Sequence, residues 1–408
     1  MPDFSPNTMH KVLRILYSDI RASFAYCNPD RLGSPVVKPV DSWVKLPLPP
    51  DMRRRLLSND KVNSEYFPKE IQHHILNEQS VAITYNFSVG DRKVVLHFVV
   101  FNKREKSVNM RKMQAYAMRV CALLHLVSLH AHRSTCSSTL TLFIYMTPFK
   151  KELPDERGDA FDSEHANTGM SYHCEENNQV VVYRKEEWFK VLIHELFHAM
   201  GLSFIESDIP AQVDAAMQKL LQKMYAISHS VRIYETYCEI WARILNVMFE
   251  CFADDTGHYG SGENSDYEFA VFGECVMKGL HSDAKFALHQ CAKIMHHVGI
   301  HPEVLLNPTD ENRAIVAEKY RENTNVFAYY VLTCVLQNSP ELFLEWCYKN
   351  NPFKQTKPRA NMMQFRTIPS NFNGFMEMLY HCKQRCPAIA HSHAVDSSMR
   401  MTSRSSTE

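Results

Sequence analysis

The sequence predicts an α+β fold: a small β-sheet in the first half, then a largely helical C-terminal lobe. Three observations carry this. Val81-Ala-Ile-Thr-Tyr-Asn-Phe-Ser and Lys93-Val-Val-Leu-His-Phe-Val-Val-Phe, joined through Val89-Gly90-Asp91, read as a β-hairpin. Thr139-Leu-Thr-Leu-Phe-Ile-Tyr-Met-Thr and Gln179-Val-Val-Val-Tyr-Arg184 read as two further strands. Beyond residue 201, apolar residues recur at helical spacing nearly to the end.

The chain opens on a helix over 7–27, where Val12, Leu13, Ile15, Leu16, Ile20 and Phe24 share one stripe. Residues 28–50 are proline-rich and read as irregular, with two helical patches near 51–58 and 67–78. Between the hairpin and the third strand the period turns helical over 108–132, with His125, His130 and His132 near its end. Histidines at a helix C-terminus complement the dipole and need no metal. Residues 149–178 are polar, a long loop with a short strand at 167–173. After Gly201 the helical stretches are 209–228, 231–252, 266–298, 311–337, 340–349 and 371–384, with a turn at 259–266 and a proline-rich break at 351–370. The predicted domains are a helical and irregular region at 1–78, a core at 79–255, a helical lobe at 256–385 and a disordered tail at 386–408.

Composition narrows the function. Lys+Arg and Asp+Glu are both 45, so net charge gives no argument for binding nucleic acid. Arg53-Arg54-Arg55 and Lys103-Arg104-Glu105-Lys106 read as solvated surface. No secretory pattern and no run of 18 apolar residues is present, so neither a signal peptide nor a membrane span is expected. The twelve cysteines are scattered and read as mostly buried, reduced thiols of a cytoplasmic protein. His381-Cys382…Cys386…His391…His393 fits no standard zinc spacing and reads as a loose terminal segment.

The stretch carrying chemistry is Trp188-Phe-Lys-Val-Leu-Ile-His194-Glu195-Leu-Phe-His198-Ala-Met-Gly201, which contains H-E-x-x-H. On a helix, His194 and His198 fall on one face and reach one ion, while Glu195 sits one step round, placed to act as general base. A random chain of this composition shows the pattern roughly 0.06 times. Its setting sharpens it, because the three polar residues are alone among Val191, Leu192, Ile193, Leu196, Phe197 and Met200. Buried imidazoles and carboxylates need partners or a metal. Glu186 and Glu187 are expected in the first helical turn and Gly201 at its C-terminal cap.

Catalytic zinc takes three protein ligands and leaves one position open. Position 204 is Phe, where one pattern would place a third His, and no His follows before His229. A carboxylate on a second helix is the alternative. Glu235 and Glu239 lie four apart in Val231-Arg-Ile-Tyr234-Glu235-Thr-Tyr237-Cys-Glu239-Ile-Trp241-Ala242-Arg243. Glu239 is the expected ligand, because Ala242 one turn on allows close helix approach, and Glu235 is expected to orient a histidine. Tyr234 and Tyr237 are candidate oxyanion donors. Were the two glutamates merely a solvated face, Arg232 and Arg243 would pair with them.

His194-Glu195-x-x-His198 with Glu239-x-x-Ala242 resembles the glutamate-type zinc metallopeptidases, and Glu239-Ile-Trp-Ala-Arg-Ile is similar to the segment bearing the third ligand in anthrax lethal factor. Phe149-Lys-Lys-Glu-Leu-Pro154, Asn167-Thr-Gly-Met-Ser171, Val182-Tyr-Arg-Lys-Glu-Glu187 and Lys190-Val-Leu-Ile-His-Glu-Leu-Phe-His198 resemble a group of metallopeptidases of large DNA viruses, over about half the chain. The resemblance implies a zincin-like core: a twisted sheet, a backing helix and two helices supplying the metal. It implies a Zn2+ endopeptidase acting on a protein or peptide substrate in the host cytoplasm or virion. The substrate is expected to lie along an edge strand, either 179–183 or 167–173. The alternative function is a non-catalytic, zinc-stapled scaffold or virion interaction protein; a retained Glu195 favours the enzyme, because a structural site needs no base.

Overall fold

The computed structural model describes residues 6–40, 67–131, 135–254, 265–352, 361–389 and 396–403. The helical patch near 51–58, Arg53 to Arg55, His132, most of the 259–266 turn, His391 and His393 lie outside these residues. The fold is mixed α+β, with an open six-stranded sheet and a helical C-terminal region. No helix among the described residues is long and apolar enough to cross a membrane.

Two compact units divide the chain. The first comprises residues 20–151 and 162–201. It takes in the end of α1 (Pro6–Tyr26), then β1 (Val36–Val40), α2 (Lys69–Asn77), β2 (Ser80–Val89), β3 (Arg92–Phe101), α3 (Met110–His130), β4 (Thr139–Met146), β5 (Gly169–Ser171), β6 (Asn177–Val182) and α4 (Trp188–Ala199). The sheet order is β1-β2-β3-β4-β6-β5. β2 and β3 pair antiparallel with Val89 opposite Arg92. That leaves a two-residue turn, Gly90-Asp91, and Gly90 has φ +56°, where glycine bears no penalty. β3, β4 and β6 run parallel, and α3 supplies the crossover a parallel pair needs.

Each strand alternates its faces, so the sheet presents two apolar surfaces. On one, Phe67, Ile71 and Ile75 pack with Ala82, Val99, Phe101, Tyr145 and Val181. On the other, Trp188 of α4 meets Phe98 at 5.7 Å and Tyr116 of α3 at 4.9 Å between ring centroids. Val191, Leu192, Ile193, Leu196 and Phe197 are all buried. At about 1.5–3 kcal/mol for each large apolar side chain removed from water, this face fixes α4 on the sheet.

The second unit comprises residues 1–19, 152–161 and 202–408. Its elements are the start of α1, α5 (Ala211–Met224), α6 (Ile233–Asp254), α7 (Ser265–His297), α8 (Asp310–Lys319), α9 (Pro340–Asn350) and α10 (Pro369–Arg385). The α6 core is aromatic: Tyr237 lies 5.3 Å from Phe365 and 5.8 Å from Phe343.

Several expectations change. The H-E-x-x-H helix lies in the first unit and the helix bearing Glu235 and Glu239 in the second, within the stretch 79–255 read as one core. Residues 36–40, read as irregular, form edge strand β1; Pro39 is tolerated there because an edge strand has one unpaired side. The helix expected over 311–337 is broken after Lys319 and resumes as a π-helical turn at Phe327–Leu332. Six cysteines are not free thiols: Cys27 pairs with Cys121, Cys136 with Cys174 and Cys251 with Cys275. The reduced-thiol argument for a cytoplasmic protein therefore fails for half the set.

The tail is not disordered throughout. Met399 and Met401 are buried, and Lys293 Nζ donates to Asp396 Oδ1 at 2.6 Å and to the Ser398 carbonyl at 2.8 Å.

Candidate metal centre

Helix α4 is an almost wholly buried helix whose end is tied down by loops of its own unit. The last carbonyls of any helix lack intrahelical donors. Here the Ala199 carbonyl accepts from Ser137 Oγ at 2.7 Å and Asn178 Nδ2 at 3.2 Å. The His198 carbonyl accepts from the N–H groups of Cys174 (3.2 Å) and Gly201 (3.0 Å). Gly201 has φ +65°, as a C-terminal cap residue should. A Cβ there would also stand 3.0 Å from Cys136 Sγ. The other end departs from expectation. Glu187 is the N-cap, with φ +55°, and neither it nor Glu186 enters the first turn. Both hold Lys151 instead: Glu187 Oε2 ion-pairs with its buried Nζ, and Glu186 Oε2 accepts from its backbone N–H at 2.8 Å.

The spacing of four residues does what the sequence requires of it. His194 Nε2 and His198 Nε2 converge to 3.3 Å. Glu195, 8% exposed, accepts a hydrogen bond at Oε2 from Ser171 Oγ at 2.7 Å. Ser171 belongs to β5, the edge strand beside β6.

On α6 the two glutamates have different partners. Glu239, 1% exposed, accepts from Arg243 Nε at 2.9 Å. Arg243 is held in turn by Gln337 Oε1 at 3.0 Å and the Tyr329 carbonyl at 2.8 Å. Glu235 accepts from the neutral hydroxyl of Tyr329 at 3.0 Å. Arg232, a partner for the glutamates only if they formed a solvated face, donates from Nε to Glu206 Oε1 at 3.2 Å.

Within the first unit, His194 and His198 form a pair of metal-capable side chains, with the buried Glu195 between them in sequence. The Glu239 carboxylate, the expected third ligand, is ion-paired with the buried Arg243 guanidinium. Two facing imidazoles alone are explained by one Nε2–H donating to the other Nε2. Their separation also matches two ligands at about 2.0–2.1 Å from one tetrahedral ion, which lie about 3.3–3.4 Å apart. Two imidazoles with one added carboxylate would make a nitrogen, nitrogen, oxygen set of the kind that holds catalytic zinc with one position open. The donor chemistry thus fits the group.

Other expected site residues fall elsewhere. Tyr237 is buried, and its hydroxyl donates to the Met363 carbonyl at 2.7 Å and accepts from Asn351 Nδ2 at 2.9 Å. It packs in the core of the second unit. Tyr234 is half-buried, and burial, with Glu235 beside it, holds its phenol well above the ordinary value, so it keeps its proton. His229, the fallback ligand, stacks on Tyr320 at 5.7 Å with Nε2 3.4 Å from Glu322. Of the two stretches considered for an edge, 179–183 lies between β4 and β5 over its strand portion, and 167–173 contains the edge strand itself. Sequence reading missed Ser171 and Tyr329; Ser171 stood in the quoted Asn167-Thr-Gly-Met-Ser171 stretch without a role.

No family model, no curated protein and no solved structure matches the chain.

Proposed function

We propose that the chain is a zinc-dependent endopeptidase, in which His194, His198 and Glu235 hold the ion and Glu195 is the general base. The observation that supports this reading lies within α4 and its sheet: two imidazole nitrogens converge at 3.3 Å on a buried helix that also carries the buried Glu195; Glu235 is proposed as the third ligand. When bound, zinc supplies Lewis acidity towards a peptide carbonyl and towards water. Glu195 takes the proton from the attacking water and delivers it to the leaving amine. The Tyr234 phenol, which stays protonated, is the remaining donor for the developing oxyanion. The substrate is a protein or peptide segment that adds as an extended strand beside β5. The motif likeness to viral metallopeptidases supports the same reaction class.

Purified protein is tested on a peptide library with zinc, without added metal and after chelation. Cleavage that is lost on chelation and restored by zinc is the expected result. Retention of about one zinc per chain with no cleavage overturns the enzyme reading in favour of a zinc-stapled scaffold.

A further inference from the structure

Strand β5 does more than close the sheet. Gly169 and Ser171 are two apart in an extended strand, so they occupy one face of it, and both meet the same side chain. Ser171 Oγ lies 2.7 Å from Glu195 Oε2 and 3.1 Å from the Glu195 carbonyl. A hydroxyl has one proton to donate, and the shorter contact, to the carboxylate, is the stronger one. At Gly169 a Cβ would stand 2.8 Å from Val191 Cγ1, 3.0 Å from Glu195 Cγ and 3.0 Å from Glu195 Oε1. The strand therefore touches one carboxylate oxygen through a hydrogen bond and, at Gly169, leaves the space that a Cβ would take from Val191 and the Glu195 side chain.

The segment that delivers these contacts is itself fixed. Asn178 Nδ2 donates to the Tyr172 carbonyl at 2.8 Å, Cys174 N–H donates to the His198 carbonyl, and Cys174 is bridged to Cys136. A glutamate side chain has three rotatable bonds, and a base that must first find its orientation loses rate. We infer that Gly169 and Ser171 form a Gly-x-Ser device on the edge strand that positions Glu195, with Ser171 the positioning residue and Gly169 the residue that makes room. This rests on the peptidase reading of Glu195.

Two measurements test it. The first needs no activity and no metal. In chelator-treated protein, Ser171→Ala shifts the urea midpoint in the Glu195 parent and shifts it distinctly less in a Glu195→Ala background, because the bond is already absent there. Equal shifts in both backgrounds overturn the inference. The second uses the zinc-loaded enzyme. Ser171→Ala lowers kcat by about 10- to 100-fold with KM and zinc content unchanged, and Ser171→Thr, which keeps the hydroxyl on a strand-compatible side chain, recovers most of the rate. Gly169→Ala lowers kcat as well. An unchanged kcat in Ser171→Ala overturns the positioning role even if the stability coupling is present. Coupling together with a wild-type protein that cleaves nothing overturns instead the peptidase reading, and the positioning role with it.

Discussion

Helices α4 and α6 place carboxylates in the same kind of apolar setting and do opposite things with them. On α4, Glu195 is met by the neutral hydroxyl of Ser171, and the two histidine nitrogens face each other. On α6, Glu239 is met by the Arg243 guanidinium, itself held by two further acceptors. Spacing decides which residues share a helical face. The two contacts differ in charge: the arginine that meets Glu239 neutralises it in place, whereas the hydroxyl that meets Glu195 brings no charge of its own. Glu235, one turn before Glu239, also accepts from a hydroxyl, that of Tyr329 at 3.0 Å.

The largest effects should fall on chemistry and metal. Glu195→Gln is expected to keep about one zinc per chain while cleavage falls by about 10²- to 10⁴-fold. Glu235→Ala should lose its zinc to a mild chelator, and Glu239→Ala should keep it but unfold more easily. Zinc content after identical dialysis reads this directly. If the Glu239 variant emptied while the Glu235 variant stayed loaded, the comparison between the two carboxylates would be the wrong way round.

Next in size is the ion pair. Arg243→Met leaves Glu239 buried with its charged partner gone, a change that typically costs about 3–5 kcal/mol. Glu239→Leu combined with Arg243→Met removes both charges and should recover most of that loss, since an apolar replacement of a buried pair is often near neutral. Denaturant midpoints of the single and double variants measure it. A double variant no more stable than Arg243→Met would show that the contacts to Gln337 and Tyr329, not the pair, hold this part of the unit.

How much of this could be read from the chain follows the same line. The H-E-x-x-H half was legible, because two histidines four apart on an apolar helix have one geometric solution, and the structure brings them to 3.3 Å. The choice between Glu235 and Glu239 was not, because both share a face and Ala242 favoured Glu239, whereas the ligand proposed above is Glu235. The available signal was Arg243, four residues after Glu239 and a standard helical ion-pair distance. The hairpin and the parallel strands were legible from β-prone runs. Strand β1 was hidden by Pro39, which marks edges as often as breaks. The disulfides and the buried Met399 and Met401 were invisible for one reason: scattered cysteines and isolated methionines declare a partner only after distant segments have met.

The neutral side of the comparison extends into the sheet. His97 is buried, stacks on Phe143 at 5.0 Å and shares a hydrogen bond between its Nδ1 and Thr84 Oγ1 at 2.8 Å. Burial lowers its pKa from 6.5 to about 4. The folded protein thus keeps His97 neutral where the unfolded chain would take a proton. The associated stability is complete above pH 6.5 and is lost as pH falls from 6.5 towards 4, on the order of 3 kcal/mol in all. Unfolding midpoints across that window should slope less in His97→Gln than in the parent. Parallel slopes would mean that other groups carry the acid sensitivity.

The smallest expected effect is at the tail, where a charged pair meets water. Lys293 is buried, but Asp396 has 58% of its side chain exposed, so solvent screens the pair. Lys293 also keeps the Ser398 carbonyl as a second acceptor, so removing Asp396 does not strand its charge. Asp396→Asn should therefore destabilise by no more than about 1 kcal/mol, far below the Arg243→Met effect despite a similar bond length. The hydrogen bond from Lys293 lowers the Asp396 pKa, so its contribution is present above the ordinary carboxylate range and disappears as pH falls below it. Midpoints for parent and variant should differ slightly at neutral pH and coincide in strong acid. A difference that persisted in acid would place the tail's stability in the side-chain substitution itself, and a loss as large as that of Arg243→Met would show that exposure of the carboxylate does not separate the two kinds of pair.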